Sequence, residues 1–200
     1  MDQERPLRER LIDVGVDLVM SEGTGALGLR EIARRAGVSH GAPRRYFPTH
    51  QSLLSAIARR GFEELGARFA TSAAGVGELP PRERVRAIGC AYVGYALEHA
   101  GMFELMFRHD LLDSTGRGPA EGPRLRETTL AMFGLLVGLV RECGAAEPSV
   151  TAAALWANLH GVAQLWRWGS LPLALGGAPA DGVDRLVGAA VDAHLGPEPV

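Results

Sequence analysis

Lysine is absent from this 200-residue chain, so all 21 basic side chains are arginine. Cysteine is nearly absent. Cys90 and Cys143 stand alone without CxxC spacing, which removes the paired-thiolate metal site and the dithiol redox motif and leaves two isolated thiols, read as buried. Long apolar runs are missing as well. The longest uncharged one, Leu130 to Val140, falls far short of the roughly 20 residues a membrane helix needs. The charged start MDQERPLRER carries no signal peptide, so a cytoplasmic protein with no membrane partner is expected. Nothing reads as a strand, and no segment repeats. HExxH, GxSxG, P-loop and GxGxxG signatures are all lacking, and the 6 histidines are scattered with no cysteine or paired carboxylate at metal spacing. No enzymatic activity, cofactor or metal is therefore expected.

What is present is charge of two signs in two places. Residues 1–60 hold ten arginines against seven acids, about +3, and residues 61–200 hold eleven against sixteen, about −5, which together make the net −2. A basic head on an acidic body suits a chain of which only the head meets phosphate. Apolar residues make up 46%, enough for a sizeable core, and they recur at helical rather than alternating spacing.

The stretch Leu29 to Phe47, LREIARRAGVSHGAPRRYF, organises the chain. Leu29, Ile32, Ala33 and Ala36 fall at i, i+3, i+4 and i+7, an apolar stripe with Arg30, Glu31, Arg34 and Arg35 outside it. Gly37 follows where a left-handed residue is wanted, Val38 is a small apolar plug, and Ser39 is placed to accept from the first amides of a second helix over His40 to Phe47. That second helix is too short and polar to stand alone, so packing behind it must display Arg44, Arg45 and Tyr46. Pro43 is tolerable in its first turn. The pattern reads as a helix-turn-helix, whose second helix enters the major groove.

At these residues the chain resembles the amino-terminal domain of TetR-family transcriptional repressors: the Ile32–Ala33 pair, the AGVS turn of Ala36 to Ser39, Phe47, and Leu53 and Leu54. The resemblance covers roughly the first sixty residues. It implies that Arg30, His40, Gly41 and Arg45 face bases and that Arg44, Tyr46 and His50 face phosphate. The chain departs from the family pattern at Pro43, where leucine is usual, at Arg44, where tyrosine is usual, and at His50, where lysine is usual. Arg44 can replace a phosphate contact, whereas a histidine, mostly neutral at pH 7, is a weaker one.

In chain order, Leu7, Leu11, Val14 and Leu18 mark a first helix covering the back of the motif, with Arg5, Arg8 and Arg10 near a DNA backbone if the arm lies there. The glycine-rich EGTGALG ends it, Gly28 takes the next N-cap place, and Glu31 stands three residues on, as in a capping box. Thr49 after Pro48 is an N-cap for a helix of about 50–70 that joins the head, 1–48, to the body, 49–200. Ala73 to Pro81 and Asp113 to Pro123 are loops, and helices are expected over about 82–100, 124–143, 150–170 and 183–195. Gly134 and Gly138 either admit a close helix or simply pack in the core. The piece LWANLHGVAQL resembles the WHG signature of one group of TetR carboxy-terminal domains at Trp156, His160 and Gly161.

Met102, Phe103, Met106 and Phe107 form a thioether and aromatic stripe that is either core or the lining of a ligand cavity. His160 is either a satisfied core histidine or a recognition group. With Phe133, Leu136, Trp156 and Gln164, these side chains would form a mostly apolar site for a neutral small molecule. The expected fold is all-α with about nine helices. Two functions remain open. One is a repressor, released from a palindromic double-stranded DNA operator by an apolar effector and acting as a homodimer. In that dimer Ala153, Ala157, Val187 and Val191 would meet their own copies. The other is a helical small-molecule or partner-binding protein that has lost operator recognition.

Overall fold

The computed structural model describes residues 6–74, 79–113, 125–177 and 181–196. Most of the loop read over 113–123, and Arg5, lie outside the described residues. Among the described residues there are nine α-helices, two single 3-10 turns and no strand. Their contacts group into two compact units, residues 1–64 with 99–129 and residues 65–98 with 130–200.

In the first unit, α1 (Leu7–Glu22) buries Leu11, Ile12, Gly15, Leu18 and Val19 along one stripe. It ends at Gly23, whose φ of 80° only glycine adopts cheaply. A 3-10 turn, Thr24–Ala26, leads to α2 (Leu29–Arg35), which buries Ile32 and Ala33. Gly28 is indeed the residue before α2, but Glu31 does not complete a capping box, because its carboxylate is taken by Arg34 and Arg35. The first part of α3 (His50–Ala74) adds Leu53, Leu54 and Ile57 to the core. Thr49 does cap it, with the Ser52 amide donating to Thr49 Oγ1 at 3.0 Å.

The short helix α5 (Ala100–Phe107) belongs to this unit and packs on α1. A β-carbon at Gly101 would overlap the Val19 carbonyl oxygen, and one at Gly61 would stand 2.7 Å from Met102 Cγ and Met106 Sδ. Gly101 must be glycine for α5 to approach α1 this closely, whereas a side chain at Gly61 would push the two methionine side chains aside. Met102, Phe103 and Met106 are thereby fully buried. Thr24 donates to the Glu104 carboxylate at 3.0 Å, tying the loop after α1 to the same helix.

In the second unit, α4 (Pro81–Glu98), α7 (Pro148–Arg167) and α9 (Gly182–Leu195) pack on one another, with α8 (Ser170–Ala174) against α7. Val85, Ile88, Val93, Leu155, Leu159, Val187 and Val191 are buried between them. Helix α6 (Leu125–Glu142) contributes Val137 and Val140 to a cluster with Ala152, against which Phe133 and Leu136 pack. Gly134 and Gly138 have no other atom near, so no helix of the described chain uses them for close approach. Val187 and Val191, expected at a subunit interface, are instead buried inside this unit at 0% and 2% exposure, while Ala153 and Ala157 are exposed.

The helix expected over His40 to Phe47 is not α-helical. Its place is taken by turns and one 3-10 turn, Pro43–Arg45. Proline offers no amide proton and Gly41 adds backbone freedom, so the segment closes with short-range bonds: Ala42 N to Ser39 O at 2.9 Å and Tyr46 N to Pro43 O at 3.0 Å.

Candidate nucleic-acid interface

The turn between α2 and the 3-10 segment is set by the backbone. Gly37 has φ 67°, its amide donates to Arg34 O at 3.2 Å, and the Val38 amide donates to Ala33 O at 3.0 Å, a Schellman closure that satisfies two end carbonyls of α2. The Ser39 side chain caps nothing in the 3-10 turn, and its carbonyl does the work instead. Pro43 and Phe47 are buried and anchor the segment from beneath, leaving His40, Gly41, Arg44, Arg45 and Tyr46 exposed above them. One short turn therefore presents two guanidiniums, an imidazole and a phenol outward.

The arginines of this unit divide by what they already hold. Arg34 donates to Glu31 at 2.6 and 2.9 Å, and Arg35 reaches Glu31 at 2.7 Å and also pairs with Glu22. Arg34 and then Arg35 hold the Glu31 carboxyl down at about 2. Arg10 donates to the Ala36 carbonyl at 2.6 Å, while Arg8 pairs with Glu9 at 2.9 Å and lies 5.3 Å from the centre of the Phe47 ring. The arginines of α1 therefore grip the motif from behind, a role that spacing along α1 did not reveal. Arg30, Arg44 and Arg45 hold no ion pair among the described residues and are exposed. Within the helix-turn-helix segment these are the cations left for an anionic partner. His50 is exposed at the start of α3, and its Nε2 donates to the Leu27 carbonyl, which fixes the ring beside the turn.

The ligand residues proposed from sequence fall in both units. Met102, Phe103, Met106 and Phe107 lie in the first, with Phe107 edge-on to Phe62 at 5.8 Å and 4.9 Å from Phe103. Trp156, His160, Gln164, Phe133 and Leu136 lie in the second. There Tyr92 of α4, which the sequence reading passed over, joins them. Trp156 Nε1 donates to the Tyr92 oxygen at 3.0 Å, and that oxygen is 2.8 Å from His160 Nδ1. Tyrosine on the apolar stripe of a helix was the available signal, since a buried phenol needs a partner.

Arg167 donates to Gln164 Oε1 at 3.3 Å and so turns the Gln164 amide nitrogen toward His160 Nε2, 3.4 Å away. The Tyr92 oxygen is thus the point at which Trp156 and His160 meet. Burial lowers the His160 imidazole and raises the Tyr92 phenol, with the Trp156 bond opposing the latter. Trp156 remains 40% exposed beside Phe133, ring centres 6.2 Å apart. A separate pocket of about 340 Å³, lined by Leu175, Gly182, Arg185, Leu186 and Ala189, contains none of the proposed ligand residues.

The cysteines are half-buried. Burial, with Asp184 beside it, pushes the Cys90 thiol up to about 11, and burial raises Cys143, so neither is a ready thiolate. Among the described residues no cluster of three or more metal-binding side chains occurs, and no helix is long and apolar enough to cross a membrane.

Residues 11–57 match the family model of bacterial regulatory proteins of the tetR family, and residues 85–191 match that of the tetracyclin repressor-like C-terminal domain. No curated protein matches. Among solved structures, a protein of unknown function from Rhodococcus sp. RHA1 is 32% identical, with 97% of this chain and 96% of that one covered and a TM-score of 0.77. A TetR-like transcriptional regulator from the same organism, at 20% identity, covers 98% and 100% with a TM-score of 0.63. A TetR family transcriptional regulator from Thermus thermophilus, at 16%, covers 95% and 100% with a TM-score of 0.62. The two family models together span both the helix-turn-helix and most of the helical body: this chain belongs to the TetR family of transcriptional regulators.

Proposed function

We propose that the chain is a homodimeric repressor that leaves a palindromic operator when a mostly apolar, neutral small molecule binds its body. The observation that carries the DNA reading is the division among the arginines: Arg30, Arg44 and Arg45 stand exposed with no ion pair among the described residues, while their neighbours are neutralised by Glu31 and Glu22. Arg30, His40, Gly41 and Arg45 are assigned to bases, and Arg44, Tyr46 and His50 to phosphate. Loss of a base contact removes roughly 1–3 kcal/mol of discrimination, whereas loss of a phosphate contact weakens all sequences and lowers the salt slope by about 1. Mobility-shift titration of Arg45→Ala against the DNA flanking its own gene tests this. Unchanged affinity and preference would leave the other reading, a helical binding protein without operator recognition.

Reading a palindrome requires two heads about 34–36 Å apart, hence two copies. The surface that suits self-association is the outward face of α7 and the corner after it, with exposed Ala153, Ala157, Leu165 and Trp168, the last 71% exposed. Sedimentation showing only a 21.3 kDa species at micromolar concentration would refute the dimer. For the effector, the candidate residues are Trp156, His160, Gln164, Phe133 and Leu136, a polar-tipped apolar group within the second unit, and, within the first, the α5 stripe of Met102, Phe103, Met106 and Phe107. The effector must bind the released form more tightly than the DNA-bound one, a coupling of about 1–3 kcal/mol. Quenching of Trp156 fluorescence by apolar ligands, lost in Trp156→Phe, is the expected signature.

A further inference from the structure

The segment assigned to DNA reading is a weak element by itself. It is one 3-10 turn with no side-chain cap, preceded by turns containing glycine, and its backbone bonds run within Ser39–Phe47 and do not tie it to α2. Two side chains of α1 meet its two ends. At the near end the Arg10 guanidinium donates to the carbonyl of Ala36, the residue that closes α2, where a cation also suits the negative end of the helix. At the far end the Arg8 guanidinium lies over the face of Phe47, the buried ring that closes the segment.

We infer that Arg10 and Arg8 are positioning residues for DNA reading: α1 clamps the segment between Ala36 and Phe47 and so sets where Arg44, Arg45 and Tyr46 point. The inference rests on the proposed operator reading. A positioning role and a direct phosphate contact make opposite predictions for the same residues. If Arg10 touched phosphate, its loss would weaken every duplex alike and flatten the salt dependence. If it positions the turn, its loss degrades base contacts while the number of neutralised phosphates stays the same.

The experiment uses the full chain and two duplexes, one selected in vitro from a random pool by the parent protein and one of random sequence. Affinities are read by fluorescence anisotropy at several salt concentrations. For Arg10→Ala the ratio of selected to random affinity should fall roughly tenfold with an unchanged salt slope, and Arg10→Lys, which keeps a cationic donor, should recover part of the ratio. Arg8→Leu, which keeps an apolar stem on Phe47 but no charge, should lower the ratio by roughly two- to fivefold and serves if Arg10→Ala folds poorly. A variant that merely folds less loses affinity for both duplexes equally, and the ratio does not move. An unchanged ratio in both variants, or a salt slope reduced by about 1 with equal loss on both duplexes, overturns the inference. A parent protein that binds neither duplex overturns the operator reading itself, a separate outcome visible before any variant is made.

Discussion

The polar side chains of the two units are held in opposite ways. On α2 of the first unit they are charged and exposed, as in the pairing of Glu31 with Arg34 and Arg35. In the second, Tyr92, Trp156, His160 and Gln164 are neutral, joined by hydrogen bonds, and in part buried. Exposed pairs contribute little to stability and respond to salt, whereas a buried polar network is costly to leave half-satisfied and responds to protonation. The first arrangement fits the proposed contact with DNA, and the second the proposed uncharged effector.

The largest expected effect lies beneath the charged surface rather than on it. Phe47 is 0% exposed under the displayed turn, so Phe47→Ala should cost about 3–5 kcal/mol in denaturant unfolding. A cost below about 1 kcal/mol would mean that the turn is not anchored by packing.

Tyr92→Phe should come next. It leaves the Trp156 N–H and His160 Nδ1 without their shared oxygen, at about 1–3 kcal/mol, and calorimetry on Tyr92→Phe, Trp156→Phe and the double variant should show the two losses to be non-additive. Additive losses would break the contrast drawn here.

A smaller effect is its pH dependence. Burial lowers the His160 imidazole from its ordinary 6.5, so the folded state resists its protonation. That contribution is fully present above pH 6.5 and is lost as pH falls through the depressed folded value, and His160→Gln should flatten the stability profile in that window. The charged unit behaves differently. The Glu31 carboxyl, held at about 2 against an ordinary 4.5, contributes above pH 4.5 and loses its effect as pH falls toward 2. Glu31→Gln should therefore leave the profile near neutral pH unchanged while freeing Arg34 and leaving Arg35 with Glu22 alone. Salt-dependent binding to random duplex DNA that is no steeper in this variant would place Arg34 away from phosphate.

Much of this was legible in the chain itself because local rules decided it. The stripe of α2, the left-handed Gly37 and the Thr49 cap each depend on residues within seven positions, and each is found where the spacing placed it. The all-α character and the family followed from the same short-range signals. Three features were decided only by tertiary packing. Pro43 and Phe47 are drawn inward and the segment between them closes as a 3-10 turn, because one turn's worth of backbone bonds cannot oppose burial of a phenyl ring. Val187 and Val191 follow the same α9 stripe whether it faces a partner or its own chain, and periodicity reports that a stripe is buried without reporting against what. Arg8, Arg10, Arg34 and Arg45 are identical in type and all lie in a basic stretch. What separates a clamp, a neutralised cation and a free one is which carboxylate, carbonyl or ring lies within about 3 to 5 Å, and contacts such as the one between Arg10 and Ala36, twenty-six positions apart, exist only once the chain has folded.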